Sequence, residues 1–446
     1  MNGAKAVIGG ARSDAMQSII AFGLKGGAGL ANYGFFALAA RLAGAETFGA
    51  FSILFSTAMI ISLAGSFGQQ TFLLKEVPKA RAHSSIEDEI GAYRFAFTSS
   101  AIAALVGGIV FIATSLTLPH PVEPSAIGAG ALLCILYSMS QVTIAALRIE
   151  GRLQLALATR DVLWRVFAIA ALAVLALSVR PDTTTLTAVL ALALLPIVGA
   201  HAALILRRLP KLPEDARPRL RTHEWLKLST GLMLIAMIAG ADIYVYTITV
   251  GYLLPGNSAG AFFAAMKSVE LLALFLLSVT LVIVPDLSRL IAANDREALQ
   301  LKCNQAILVQ SGPTLAVSLL MMVAAPYFMW LFRPEYVADA NVLRILVLAM
   351  IVSALTGAGG SLMQLSGLHW RQVVYQAGSL IIAVALMLPL VSWFGLLGAA
   401  VSFLISKVLW NVLAAHAAYR HLGVDPSVLA LVRTAFRRGP SSPDLK

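Results

Sequence analysis

Charge is what this sequence has least of. Only 12% of its 446 residues are Asp, Glu, Lys or Arg, about half the share of an ordinary soluble domain. A chain of this length cannot cover a water-facing surface with so few charges, which excludes a soluble globular fold. Cysteine is scarcer still. Cys134 sits in an apolar run and Cys303 in a short polar segment; the pair offers neither a disulfide framework nor metal-ligand spacing, and both read as ordinary small side chains. The sequence has no G-x-x-x-x-G-K-[ST] loop and no H-E-x-x-H pair. A P-loop ATPase and a zinc protease are thereby excluded, no cofactor is implied, and the expectation is a protein that is not an enzyme.

What is present is apolar. Hydrophobic residues make up 59% of the chain and the mean hydropathy is +0.83. Apolar runs long enough to span a bilayer, at about 20 residues each, follow one another from end to end. They fall at Met16 to Ala40, Thr47 to Leu73, Ala92 to Leu116, Pro124 to Leu147, Val162 to Val179 and Leu186 to Leu206, then at Trp225 to Leu253, Ala259 to Val284, Gln305 to Leu331, Val342 to Leu365, Val373 to Trp393 and Leu396 to Tyr419. Backbone amides cannot stay unpaired in hydrocarbon, so these runs are expected as helices. The predicted fold is an all-α membrane protein of about twelve transmembrane helices.

The net charge of +11 would suggest nucleic acid in a soluble protein. Here the basic residues concentrate in every second loop instead. With the N-terminus placed in the cytoplasm, 26 of the 33 Lys and Arg residues fall on the cytoplasmic side, 4 fall outside and 3 lie within helices. That bias follows the positive-inside rule and predicts a multi-pass protein with both termini cytoplasmic. Aromatic residues are not interleaved with the basic ones, so no nucleic-acid partner is implied.

A Pro- and Arg-rich loop from Arg207 to Glu224 divides the chain into two six-helix halves. The expected organisation is an N-terminal bundle at 1–210, a cytoplasmic linker at 211–224, a C-terminal bundle at 225–420 and a basic tail at 421–446. Glu46-Thr47-Phe48-Gly49-Ala50-Phe51 and Asn257-Ser258-Ala259-Gly260-Ala261-Phe262 open corresponding helices one half apart. Six is an even number, so both copies enter the membrane in one direction, as a parallel repeat about a pseudo-two-fold along the membrane normal. In the tail, Val428, Val432 and Phe436 share a helical face with Arg433, Arg437 and Arg438 nearby. Two readings stand: a helix lying on the anionic inner leaflet, or a frayed basic tail. The last residues, GPSSPDLK, have the composition of disorder.

Ionisable groups inside the membrane are costly unless they meet a cavity or a partner. Lys25 lies deep in the first helix and Asn32 follows it seven residues later on the same face. Asp242 lies in the seventh helix, with Tyr residues following at 244 and 246. Lys267 and Glu270 are three apart on the eighth helix and share a face. Lys407 is deep in the twelfth, with Asn411 one turn on. Lys25, Asn32, Lys267, Lys407 and Asn411 are candidate substrate-binding residues, and Asp242 and Glu270 are candidates for balancing charge or carrying a coupling ion. The bland readings stand beside these: Lys267 with Glu270 as a structural ion pair, Asp242 pairing with Lys25 or Lys407, and Lys407 snorkelling along its stem. Three lysines against two carboxylates leave a positive balance, suited to an anion such as pyrophosphate.

Two further stretches carry a family resemblance. Arg41-Leu-Ala-Gly-Ala-Glu-Thr-Phe-Gly-Ala-Phe-Ser-Ile-Leu, continuing to Gly65-Ser-Phe-Gly-Gln-Gln-Thr-Phe-Leu-Leu-Lys75, and Ala325-Pro-Tyr-Phe-Met-Trp-Leu-Phe-Arg-Pro-Glu-Tyr336 resemble the polysaccharide-exporter branch of the multidrug/oligosaccharidyl-lipid/polysaccharide (MOP) flippase superfamily, which includes O-antigen flippases. The resemblance implies a MATE-like fold of two six-helix bundles around a central cavity, working by alternating access in a bacterial inner membrane. It implies an undecaprenyl-pyrophosphate-linked oligosaccharide as substrate, with membrane lipids, and glycan polymerase and glycosyltransferases, as partners. Members carry cavity cations on the first helices of each half, and Lys25 and Lys267 sit in comparable places. The alternative within the superfamily is a small-molecule or multidrug antiporter.

Overall fold

An apolar segment in lipid must satisfy its amides internally, and in the computed structural model of the chain each of the apolar segments named above falls largely on helix. The structure describes residues 2–118, 122–210 and 217–437. The centre of the linker, 211–216, the tail beyond Arg437, and the side chains of Val432 and Phe436 lie outside the described residues. No strand occurs among the described residues. Nine described helices are long and apolar enough to cross a membrane. On helix Ile86–Ser115, Ile102, Leu105 and Ile109 stand 59%, 58% and 67% exposed on one face, a stripe that water would penalise and lipid tails would not. This is a multi-pass membrane protein.

By contacts the chain divides into two units, Met1–Ala264 and Ala265–Lys446. The first contains α1 (Asn2–Ala43), α2 (Ala45–Gly65), α3 (Gln69–Ala82), α4 (Ile86–Ser115), α5 (Pro124–Ile149), α6 (Leu153–Leu157), α7 (Trp164–Leu175), α8 (Thr183–Leu206) and α9 (Thr222–Leu253). A π-helical segment, Ala158–Leu163, joins α6 to α7 without a break. The helix α10 (Gly256–Ala292) runs from the first unit into the second. The second continues with α11 (Arg296–Val323), α12 (Ala325–Phe332), a 3-10 turn at Pro334–Asp339, α13 (Ala340–Thr356), α14 (Gly359–Leu365), α15 (His369–Phe394), α16 (Leu396–Leu422) and α17 (Val428–Arg437).

Three expected helices are interrupted. Thr47 to Leu73 breaks at Phe67 and Gly68, both left-handed with φ of 50° and 68°. An added methyl at Gly68 would stand 2.7 Å from Met233 N and Leu232 Cβ, so α9 itself occupies the space a side chain would need. Gln305 to Leu331 breaks at Ala324, after which α12 starts with Pro326 in its first turn, and Val342 to Leu365 breaks at Gly357, φ 69°. The expected start of the fifth helix, Val162, is too late. The helix begins at Leu153, because no Gly or Pro occurs between Gly151 and Pro181.

In the first unit α2 and α9 pack along their lengths. A methyl at Gly49 would meet the Gly256 carbonyl oxygen at 1.9 Å, the close backbone approach that small residues permit between membrane helices. Phe36, Phe48, Phe51, Phe55 and Phe263 form a buried aromatic core, with Phe36 and Phe263 edge to face at 4.9 Å. Near the opposite end of α2 and α9, Trp225 packs on Phe72 and Phe95 at 5.5 and 5.4 Å. In the second unit, Ile283, Leu287, Leu299, Cys303, Leu362 and Val424 build one core. Cys134 and Cys303 are both buried and free.

The repeat is visible in the helix boundaries. Helices begin at 45 and 256, at 86 and 296, and the proline-led segments at 124 and 334, offsets of 211, 210 and 210 residues. The corner before α4 and the corner before α11 are built alike. Ser84 and Asn294 both take positive φ, 53° and 54°. The next residue caps the helix in each case, Ser85 accepting from Asp88 N and Asp295 from Ala298 N.

Candidate functional site

The polar centre of the first unit is the π-helical segment. A π turn carries one residue more than an α turn, redirects side chains, and recurs at functional sites. Here it presents Arg160 and Asp161. Arg160 donates from Nη1 to Asp161 Oδ1 at 2.8 Å and from Nη2 to Gln141 Oε1 at 3.2 Å, and its guanidinium lies 4.6 Å from the Tyr137 ring centroid. From α1, Lys25 Nζ donates to Asp161 Oδ2 at 3.3 Å. One carboxylate thus serves two cations, one on each oxygen. The cations differ in freedom: the Lys25 side chain is 40% exposed, those of Arg160 and Asp161 only 13% and 10%.

Two further groups adjoin this trio. Arg165, 7% exposed, lies with its guanidinium 3.8 Å from the Trp164 ring, 5.5 Å from Phe36 and 6.0 Å from Phe35 and Phe55. Cation–π attraction of this kind replaces part of the hydration the charge has lost. The Arg165 Nη1 atom is buried and has no hydrogen-bond partner among the described residues. Trp164 is itself anchored, Nε1 donating to Leu190 O at 2.8 Å. His201 is buried on α8, with Nε2 2.7 Å from Thr159 Oγ1 and Nδ1 3.4 Å from Thr143 Oγ1.

Lys25 and Asn32 lie seven residues apart on α1, which packs against α6, the π segment and α7. The Asn32 Oδ1 atom is buried without a hydrogen-bond partner among the described residues. Asp242 is half-buried on α9, eleven residues before its end, the same interval that separates Asn32 from the end of α1. The ion partner found for Lys25 is Asp161 rather than Asp242.

The second unit holds the remaining candidates. Lys267 is 3% exposed and bonds Glu270 Oε1 at 2.5 Å, the internal pair that their spacing suggests. Lys407 Nζ lies 5.1 Å over the Phe403 ring. Asn411 donates from Nδ2 to Ser353 Oγ at 3.0 Å and to the Lys407 carbonyl at 2.7 Å. Among the described residues no group of three or more His, Cys, Asp or Glu side chains could hold a metal ion.

Arg160, Asp161, Arg165 and His201 escape the sequence reading. Both arginines count there among the basic residues of the cytoplasmic side, Arg160 in a loop and Arg165 at the start of the fifth helix; both lie within the continuous helix that starts at Leu153. The absence of any breaker after Gly151 is the signal that places them inside it.

No protein-family model matches the sequence, and no curated protein matches it. Solved structures do. An inward-facing multidrug resistance MATE family transporter of the MOP superfamily superposes with a TM-score of 0.73 at 16% identity, covering 89% of this chain and 94% of that one. The chain has a MATE-like fold. The MATE multidrug transporter DinF-BH, solved in complex with a ligand, matches at 0.68 with 16% identity, over 91% of this chain and 94% of its own. A MOP superfamily transporter from Pyrococcus furiosus, described as having a binding pocket of reverse polarity that suggests a different function, matches at 0.65 with 17% identity over 91% and 94%. On this MATE-like fold the polar cluster around Asp161 draws on α1, α5, the π segment, α7 and α8, all within the first unit.

Proposed function

We propose that this chain is a transporter of the MOP superfamily that flips a lipid-linked oligosaccharide, carried on a polyprenyl pyrophosphate such as undecaprenyl pyrophosphate, from the cytoplasmic to the periplasmic leaflet of a bacterial inner membrane. In this reading the six-helix halves, 1–210 and 225–420, alternate access to the substrate, both termini face the cytoplasm, and no bond is made or broken. Glycosyltransferases supply the substrate and a polymerase consumes it. The observation that carries the reading is the charge of the cluster in the first unit: Lys25 and Arg160 share the carboxylate of Asp161, with the buried Arg165 beside them. A positive excess at membrane depth is costly unless an anion visits it, and a phosphate group satisfies ammonium and guanidinium donors together. Lys267, Lys407, Asn32 and Asn411 are assigned to substrate contact, and Asp242 and Glu270 to charge balance or coupling.

The second reading is a small-molecule or multidrug antiporter, favoured by the multidrug transporters that share the fold. A site for organic cations calls for net negative charge, opposite to the balance around Asp161. Proteoliposomes decide between them. Purified protein is reconstituted with a fluorescent polyprenyl-pyrophosphate oligosaccharide, and its leaflet is read by an impermeant quencher. Flipping that is lost in Lys25→Ala and Arg160→Ala supports the flippase. No flipping, with efflux of a cationic dye down an imposed proton or sodium gradient, overturns it.

A further inference from the structure

The first unit contains an anion of its own placed where the proposed substrate anion would bind. Asp161 accepts from Arg160 and from Lys25, but the two bonds are unequal. Arg160 is fixed by three groups: the carboxylate at 2.8 Å, the Gln141 amide at 3.2 Å and the Tyr137 ring at 4.6 Å. The Lys25 bond is longer, 3.3 Å, and its side chain is 40% exposed against 13% for Arg160. Loss of Lys25 would leave Asp161 still bonded to Arg160. Loss of Arg160 would break its bonds to both Asp161 and Gln141.

We infer that Asp161 is an internal counter-anion that occupies Lys25 in the absence of substrate, and that a pyrophosphoryl group takes Lys25 over by exchange, so that Asp161 is a specificity-determining residue which sets how tightly that anion binds. The inference rests on the anion-transport reading of this same cluster and names the residue that regulates it. The physical basis is competition. A lysine ammonium is a point charge on a flexible stem that transfers readily between anions, whereas the planar Arg160 fork is held by its geometry. Exchange keeps every intermediate charge paired, and so avoids the desolvation cost of an unpaired ion in a poorly hydrated site. It also keeps the anion releasable, since Asp161 is present to recover Lys25 when the substrate leaves.

The test measures binding of inorganic pyrophosphate, and separately of a detergent-solubilised prenyl pyrophosphate, to the purified full chain at fixed ionic strength. Wild type is compared with Asp161→Asn, Lys25→Ala and the double variant, with thermal stability of each recorded. Asp161→Asn is expected to bind pyrophosphate at least fivefold more tightly than wild type, and to release it more slowly. The double variant is expected to lose that gain. A gain with the prenylated ligand larger than with the inorganic one assigns the site to a lipid headgroup; an equal gain assigns it to the free anion, and both support exchange. Unchanged or weaker binding by Asp161→Asn, with wild type binding normally, overturns the counter-anion role and leaves the anion reading intact. No binding by any of the proteins overturns both. If Asp161→Asn fails to fold, Gln141→Leu tests the same asymmetry. Loosening Arg160 shifts Asp161 toward it and frees Lys25 in part, so tighter pyrophosphate binding supports exchange and weaker binding overturns it.

Discussion

Gln69 and Ser229, 160 residues apart, share a 2.9 Å hydrogen bond with both side chains fully buried. The bond ties the start of α3 to α9 beside the left-handed corner at Gly68, whose missing side chain leaves room for Leu232 and Met233. Ser229→Ala leaves the Gln69 amide with only the Phe67 carbonyl, 3.3 Å away. Leaving a buried amide donor short of a partner costs about 1–3 kcal/mol. The expected result is a lower melting temperature in detergent, matched by Gln69→Ala and not increased additively in the double variant.

Close backbone approach at Gly49 sets a sharper expectation. A methyl there would overlap the Gly256 carbonyl oxygen at 1.9 Å, which cannot move aside as a flexible side chain would. Gly49→Ala is expected to abolish the folded, monodisperse fraction in size-exclusion chromatography. Gly128→Ala is the control: nothing lies within 4 Å of its added methyl, and exchanging Gly for Ala in a helix gains up to about 1 kcal/mol.

Trp164 links two contacts, a hydrogen bond to Leu190 O at 2.8 Å and a stack on Arg165 at 3.8 Å. Trp164→Phe removes the first and weakens the second, for a combined loss of about 1–3 kcal/mol. Arg165→Lys keeps the charge and loses the planar stack. Its transport rate is expected to fall severalfold in the proteoliposome assay, with a smaller loss of stability than in Arg165→Ala.

Asp182 gives a pH dependence outside the membrane. Burial pushes its carboxyl up, but bonds from Thr185 Oγ1 at 2.6 Å and Thr185 N at 2.7 Å outweigh that and leave it below the usual carboxylate range. A lowered folded value means that the stabilisation is present at neutral pH and is lost as acid titrates the group. Asp182→Ala is expected to cost about 1 kcal/mol at pH 7, the usual worth of a helix cap. The gap from wild type should narrow below about pH 4. A gap that stays constant down to about pH 2, beneath the ordinary carboxylate range, would show that the carboxylate charge plays no part in the cap.

The helical architecture was legible because hydropathy is a bulk property: a run of about twenty apolar residues admits few other structures. The repeat was legible from a short match ending at Phe51 and Phe262 because its spacing agreed with the linker. The breaks at Phe67 and Gly357 were not, since they depend on which neighbour crowds the backbone rather than on hydropathy. Lys25 and Lys267 could be singled out because each interrupts an apolar run. Arg160, Asp161 and Arg165 could not, because consecutive charges at a helix start look like a loop. Their burial follows from packing against α1, α5 and α8, which no local window contains.

The matched corners at Ser84 and Asn294 reach beyond the present molecule. Neither residue is glycine, so each carries the same uncommon backbone state at some cost, 210 residues apart. Two independent inventions of one unfavourable bend at one interval are a poor explanation; duplication of a shorter ancestral gene is a simple one. Among the described residues no buried charge stands 210 or 211 residues after Lys25, Arg160, Asp161 or Arg165, so the two halves carry different chemistry on frames that bend alike.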